Sequence, residues 1–281
     1  MRIVKPNFEI WEQSVGLEGV YKQIEKVGRV CYKSEDKITE SSAKPFVDRM
    51  IKSGHGAMLE HGTVYLKITY KNTDFTTLCM FYGKNKYSVL NHSEDNKIYY
   101  ITTNYRVLVE NNHLSDLKYL CEPTEYHEKR ITVHFVCDRG VSHEFVRHRV
   151  MSFAQESTRY CNYSKDKFGN ELTFIKPCWL NLPTDYAVYS GDNDSDYFMQ
   201  ALEDAENWYL SLIKEGWTPQ QARAVLPNAL KTELVVTGFT SDWNHFFDLR
   251  ARGTTGAPHP QAKELAEPLM KEFIARKYIN N

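Results

Sequence analysis

The stretch RITVHFVCDRGVSHEFVRHRVMSFAQESTRY, residues 130–160, decides how this part of the chain folds. Its first third alternates through Ile131, Val133, Phe135 and Cys137, the period of a half-buried β-strand. After Gly140 the spacing of VSHEFVRHRV becomes that of a helix, with Ser142 placed to cap it. Arg147, His148 and Arg149 then stand in a row, and seven residues separate them from Ser157, Thr158 and Arg159. Arginine presents a planar, permanently charged fork suited to phosphate. On a helix, Arg147 and Arg149 lie about 200° apart, so they would address different anions or different parts of one long ligand. His148 between them resists protonation unless a phosphate offsets its neighbours' charge. Ser157, Thr158 and Arg159 combine hydroxyls, backbone N–H groups and a guanidinium into a second anion seat. A solvated basic helix face is the alternative reading of the same residues.

Working outward, LEGVYKQIEKVGRVCYKS has helical spacing through Val20, Ile24 and Val27, and SSAKPFVDRMIKSGHG reads as a second helix. Serines open that second helix, Phe46, Val47, Met50 and Ile51 form its buried stripe, and Gly54 ends it. HGTVYLKITY alternates as a strand through Val64, Leu66 and Ile68, and is expected to neighbour the 130–139 strand. Between them, residues 70–130 hold polar turns and a β-like run, YYITTNYRVLVEN, read as an elaboration of one domain. ELTFIKP and ELVVTGF are further strands, and residues 195–215 form a helix with Phe198, Leu202, Ala205, Tyr209 and Leu212 on one face. TPQQARAVLP restarts as a helix with Thr218 as N-cap, Pro219 at its first position and Gln221 closing a capping box. SDWNHFFDLR begins another helix at Ser241, and HPQAKELAEPLMKEFIARKY is amphipathic. The expected fold is α+β, a mostly antiparallel sheet packed with helices, in a single domain over 1–281 with an insertion at about 70–130.

The composition is that of a globular protein: 42% apolar and 25% charged residues, with 18 Tyr and 14 Phe opposing long disorder. A net charge of -1 rules out a nucleic-acid binder held by bulk electrostatics, so any anion site must be local. The six cysteines are scattered with no CxxC pair, and no apolar run has the length of a membrane span or a signal peptide core. The expectation is a cytoplasmic protein with reduced thiols.

No metal site is expected. His143 and His148 in HEFVRH are five apart, about 140° around a helix, and cannot converge on one ion. HGAMLEH, His55 to His61, lacks helical support. Cys178, in KPCWLNLP, has no neighbour that would lower its pKa and reads as an inert thiol.

Four ordered segments together carry a resemblance. RHRVMSFAQES fits RHR-x7-S, GHGAMLEH resembles a GHxxxxEH segment, QARAVLP resembles xARxVLP, and WNHFFDLR resembles a helix ending in a functional arginine. In this order they resemble the flavin-dependent thymidylate synthases, over about residues 18–69 and 130–275. The resemblance implies conversion of dUMP to dTMP with methylenetetrahydrofolate as one-carbon donor and reduced FAD as hydride source, NADPH regenerating the flavin. It implies a homotetramer with active sites between subunits.

Residue by residue, the resemblance puts His55, Arg147, His148, Arg149, Gln155 and His245 against FAD, with Glu60 nearby. It puts Glu144, Arg147, Gln155, Ser157, Thr158, Arg159, Arg223 and Arg250 around dUMP. Arg250 would stabilise charge on the uracil ring, and Ser157 would position the substrate rather than attack it. Ala57 stands where relatives often place Ser or Thr against FAD, and Phe239 and Ser241 where Asn and Arg are common. The adenine end of FAD is therefore expected to be held differently. Glu144 stands where Gln is common. The competing expectation is a non-catalytic nucleotide- or RNA-binding protein using a basic Arg147–Arg149 helix, separated from the first by salt-sensitive RNA binding without flavin affinity.

Overall fold

The computed structural model of the protein describes residues 1–93, 97–180 and 194–280. Its strands are β1 (Arg2–Val4), β2 (Asn7–Trp11), β3 (Thr63–Thr69), β4 (Val89–Ser93), β5 (Ile98–Asn104), β6 (Arg130–Asp138), β7 (Ser152–Gln155), β8 (Thr173–Ile175) and β9 (Lys231–Phe239). An antiparallel sheet runs in the order β2-β6-β9-β7, a second antiparallel sheet runs β3-β5-β4, and β1 pairs with β8 in parallel. The architecture is thus α+β with mostly antiparallel sheet.

Strand alternation explains how the four-stranded sheet is covered on both faces. From β6, Ile131, Val133, Phe135 and Cys137 point one way with Leu234 and Val236 of β9. They meet Val141 and Phe145 of helix Arg139–Phe145, Trp243, Phe246 and Phe247 of helix Thr240–Phe247, and Leu269 and Phe273 of helix Pro260–Ala275. The opposite face offers Val235 and Ala154 to Val27, Val30 and Cys31 of helix Gly16–Tyr32. That helix has a second apolar side. Val20 and Ile24 pack with Phe46, Val47 and Met50 of helix Ala43–Lys52 and with Val64, Leu66, Ile68 and Ile101 of the smaller sheet.

The helix Asp194–Lys214 buries Leu202 and Tyr209 against Leu172 and Phe174, and the turn that follows starts at Pro219. There Gln221 accepts from the Thr218 backbone N–H at 2.9 Å, the capping chemistry its sequence predicts. Among the described residues, no helix is long and apolar enough to cross a membrane.

Several expectations are corrected. Strand β3 does not neighbour β6; it pairs over seven residues with β5, from the 70–130 region. The run YYITTNYRVLVEN is a strand only to Asn104, whose side chain accepts from the Val107 N–H at 3.1 Å and starts helix Tyr105–Glu110. Ile51 is exposed, because helix Ala43–Lys52 turns Ala43, Phe46, Val47 and Met50 inward. Helix Arg139–Phe145 is capped by Asp138, whose carboxylate accepts from Val141 N–H at 2.7 Å, an anion at the positive end of the helix. Ser142 is buried inside that helix and donates to the Arg139 carbonyl at 2.8 Å. The helix stops at Phe145, so Arg147, His148 and Arg149 lie beyond it in turns, and no basic helix spans them.

Trp243 is fully buried, and its indole N–H donates to the Ile131 carbonyl at 3.1 Å. It fastens the helix that leads to Arg250 onto β6. Trp243→Ala is expected to destabilise the fold by about 3–5 kcal/mol, read as a lower urea midpoint. A midpoint within error of the parent would show that this helix is not held by its ring.

Candidate functional site

Sheet register dictates where the cationic residues fall. Strand β7 begins at Ser152 opposite Thr237, so the chain from Phe145 must turn back and deliver residues 147–151 beside the end of β9. Gly238 allows that close approach: a Cβ there would lie 2.7 Å from the Met151 side chain. Helix Thr240–Phe247 leaves from the same end of β9 and passes into a π-helical turn, Asp248–Arg252, that carries Arg250. A π turn adds a residue to the helical repeat and is frequent where a side chain must be re-aimed for function.

The two segments enclose a cavity of about 320 Å³ lined by Arg147, His148, Arg149, His245 and Arg250, with Asp242 on its wall. The Arg250 guanidinium is fixed on three sides. It donates through Nη1 to Glu144 Oε2 at 2.6 Å, through Nη2 to the Glu144 carbonyl at 2.8 Å, and through Nε to His148 Nε2 at 3.3 Å. His148 therefore presents Nε2 as an acceptor and is neutral. Burial first, then Arg250 and His245, hold its imidazole down to about 4. The His245 ring lies edge-on to it at 5.7 Å. Among the described residues, the Arg147 and Arg149 side chains have no hydrogen-bond or ion-pair partner, which leaves two guanidinium forks open to an anion.

A second cavity, of about 560 Å³, follows the outer edge of β7 and is lined by His55, Gln155 and Ser157 together with Cys31, Tyr32, Ala57, Arg106 and Tyr160. Gln155 is held from behind, donating through Nε2 to Ser142 Oγ at 2.8 Å and Thr232 Oγ1 at 3.2 Å. The Ser157 N–H donates to the Cys31 carbonyl at 3.0 Å, and its hydroxyl accepts from the Arg159 N–H at 3.3 Å. Arg223 donates to Thr158 Oγ1 at 3.3 Å, while Arg159 is exposed with its guanidinium over the Tyr160 ring. Thr158, Arg159 and Arg223 do not line either cavity. Burial pushes the Cys31 thiol up to about 11, so it is no thiolate nucleophile at neutral pH.

The structure thus gathers Glu144, Arg147, His148, Arg149, His245 and Arg250 in one place and His55, Gln155 and Ser157 in another; Arg250 and Ser157 do not share a cavity within one chain. Sequence reading missed Arg106, which lines the His55 cavity and donates to Glu60 Oε1 at 2.6 Å. Its signal was available in the Arg106–Glu110 pair at helical spacing, joined at 2.7 Å. It also denied helical support to HGAMLEH, where Gly56–Leu59 is a single helical turn. His55 is exposed and His61 fully buried against Thr237 at 2.8 Å, so the two still do not converge.

His148 sets a pH dependence whose sign is fixed by its depressed pKa. The stability it confers is complete above its ordinary value of 6.5 and is lost as pH falls toward about 4. Buried His61, held down to about 3 mainly by burial, acts in the same direction. Arg250→Gln removes a cation from beside His148 and is expected to move its ring titration upward in an NMR pH series; an unmoved or lower value would refute the contact.

The family described as "Thymidylate synthase complementing protein" matches residues 84–276. A flavin-dependent thymidylate synthase of Geobacter sulfurreducens is 31% identical over 112 residues, 40% of this chain and 43% of that protein. One of Corynebacterium aurimucosum is 25% identical over 268 residues, 93% of this chain and 78% of that protein. The chain spans about half the length of the first curated relatives it matches. A solved UMP/dUMP methylase of Streptomyces cacaoi aligns with a TM-score of 0.45 at 18% identity, covering 98% of this chain and 93% of its own. Since the family match takes in most of the chain, including both the Arg147–Arg149 turns and the Arg250 turn, this protein belongs to the thymidylate synthase complementing proteins, the flavin-dependent thymidylate synthase family.

Proposed function

We propose that the protein is an FAD-dependent thymidylate synthase that converts dUMP to dTMP, with methylenetetrahydrofolate as carbon donor and NADPH as source of reductant. The observation that carries this reading is the cavity lined by a rigidly held guanidinium and by two arginine forks that have no partner among the described residues. Open forks suit a diphosphate, and a fixed guanidinium suits an oxygen on which charge develops. The donor set therefore fits a flavin dinucleotide beside a pyrimidine monophosphate. Arg147, His148, Arg149 and His245 would hold FAD from one side, and His55 and Gln155 from the other. FAD, reduced by NADPH, would supply the hydride that completes the methyl group.

The chain's own residues do the rest. Uracil C5 is a poor nucleophile until charge accumulates on the ring and its carbonyl oxygens. Arg250 meets that charge, and it is already oriented by Glu144 and His148, so little reorganisation is needed at the moment of reaction. A neutral His148 accepts from Arg250 without competing for the anion. Ser157, with Thr158, Arg159 and Arg223, binds and orients the nucleotide. Phe239 and Ser241 stand where the adenine end would lie, and Phe239 is buried beneath the Arg130 guanidinium at 5.5 Å, so that end would be held by contacts other than an Asn–Arg pair.

Division of these residues between two cavities supports a homotetramer in which one chain's Arg147 cluster faces another chain's His55 cavity. We read the chain as one domain, with residues 70–130 as an elaboration that builds its sheet on β3.

Purified protein is expected to bind FAD and to release tritium from C5-labelled dUMP only with reductant and methylenetetrahydrofolate present; colourless protein without release would end the reading. Arg250→Ala should cut turnover roughly a hundredfold or more while FAD binding persists. Ser157→Ala should be milder, and complete inactivity with intact dUMP binding would return the serine to a nucleophile's role. His55→Ala and Arg147→Ala chains, each impaired alone, should recover activity when coexpressed; failure to recover would place the whole site within one chain.

A further inference from the structure

Beside the His55 cavity, and sharing Tyr32, His55 and Tyr160 with it, opens a groove of about 780 Å³ against helix Ala43–Lys52. Lys37, Arg49, Lys52 and Lys167 stand on its wall, opposed among the described lining residues only by Asp36. None of these four cations has a carboxylate partner among the described residues. Arg49 lies over the Phe46 ring at 5.5 Å, and Lys167 donates to the Lys33 carbonyl at 3.1 Å. Elsewhere, surface cations are routinely matched one turn away, as in Lys22–Glu18, Lys44–Asp48, Lys271–Glu267 and Arg276–Glu272. Arg29 and Lys33, also on the wall, are neutralised by Glu25, Glu35 and Glu233. In a chain of net charge -1, this is a local surplus of positive charge left open at the mouth of a site.

We propose that the groove seats the anionic end of a co-substrate, a flexible chain of carboxylates or phosphates whose reacting end occupies the neighbouring His55 cavity; this rests on the flavin-dependent reading above. The cations come from separate segments on long exposed stems. They form no single bidentate seat, and they favour a ligand that carries several charges along its length. Tyr32 and Tyr160, whose rings are 5.3 Å apart, offer apolar faces at the junction of groove and cavity. Two chemistries meet this description: the γ-linked glutamates of a folate and the phosphates of a nicotinamide dinucleotide.

Equilibrium binding distinguishes them. The probes are folate monoglutamate and folate pentaglutamate, then NAD and NADP, added to full-length protein at low and high salt. A glutamate tail in the groove is expected to make the pentaglutamate bind about tenfold tighter than the monoglutamate at low salt. That ratio should fall toward one in the Arg49→Gln/Lys52→Gln double variant, in Lys167→Gln, and at high salt. A phosphate tail would instead show the NADP-over-NAD preference collapsing in the same variants. Because Lys167 lies on a different segment, and melting curves report folding, a helix defect in the double variant cannot decide the outcome. Wild-type protein that takes up FAD and dUMP but shows neither preference, or variants that keep the preference, overturns the groove assignment alone. Protein that takes up neither FAD nor dUMP overturns the flavin reading and the groove with it.

Discussion

The pairing of β6 with β9 is the constraint from which the rest of the molecule follows. It runs in unbroken antiparallel register from Arg130 opposite Phe239 to Asp138 opposite Lys231. Because β7 adds to β9 from Ser152 opposite Thr237, the segment leaving β6 has only the helix Arg139–Phe145 and a few turns in which to recross the sheet. That geometry, rather than local helix propensity, delivers Arg147, His148 and Arg149 to the end of β9 where the Thr240–Phe247 helix departs. Glu144 and Arg250, far apart in sequence, meet there at 2.6 Å. Closing such long loops costs conformational entropy, and the apolar face shared by Phe135, Phe145, Trp243 and Phe273 supplies the offset.

Much of this was legible in the sequence where the relevant physics is local. Alternation through Ile131, Val133, Phe135 and Cys137 marked β6, the Thr218–Gln221 box marked a helix start, and Phe46, Val47 and Met50 marked a buried stripe. The failures share a cause. Residues 141–150 carry a continuous helical pattern, yet the β7–β9 ladder demands a turn before Ser152, and the long-range demand wins. YYITTNYRVLVEN is rich in β-branched and aromatic residues throughout, yet the Asn104 side chain offers the next turn a hydrogen bond that a strand would not use. The partner of β3 could not be read, since either of two alternating strands satisfies the same apolar face. For the candidate site, residue types and order were legible, and their division between two cavities was not, because nothing in a linear pattern encodes which face of an edge strand a cavity will follow.

Beneath the second cavity lies an arrangement that no motif announced. Glu156, between Gln155 and Ser157, is turned to the opposite side of the strand end, where it is almost fully buried and accepts from Lys231 Nζ at 2.9 Å and from the Tyr163 hydroxyl at 3.0 Å. Lys231 also reaches Glu233, which in turn takes His134 at 2.9 Å and Lys33 at 2.9 Å. Burial raises the Glu233 carboxyl, but the hydrogen bond from His134 and the cations Lys231 and Lys33 outweigh it and hold the group well below the usual carboxylate range. These charges occupy one end of the sheet face that, further along β9, makes the apolar contact of Val235 with Val27 and Val30.

A buried network of this kind contributes less to net stability than to uniqueness of position. The desolvation cost of several ions roughly cancels their attraction, whereas removing one partner strands the others at a cost of about 3–5 kcal/mol. The consequence for the cavity is geometric. Gln155 is fixed from one side by Ser142 and Thr232, Glu156 from the other by Lys231 and Tyr163, and the Ser157 amide by the Cys31 carbonyl. Three successive residues are thereby locked by four different parts of the chain, two of them through side chains that cannot slide along the strand without losing a partner. An open sheet edge is ordinarily free to fray or to re-register, and here it is pinned where Gln155 and Ser157 line the cavity. Placement to this tolerance is what a site needs when its chemistry comes from aligning ligands rather than from a covalent bond to the protein.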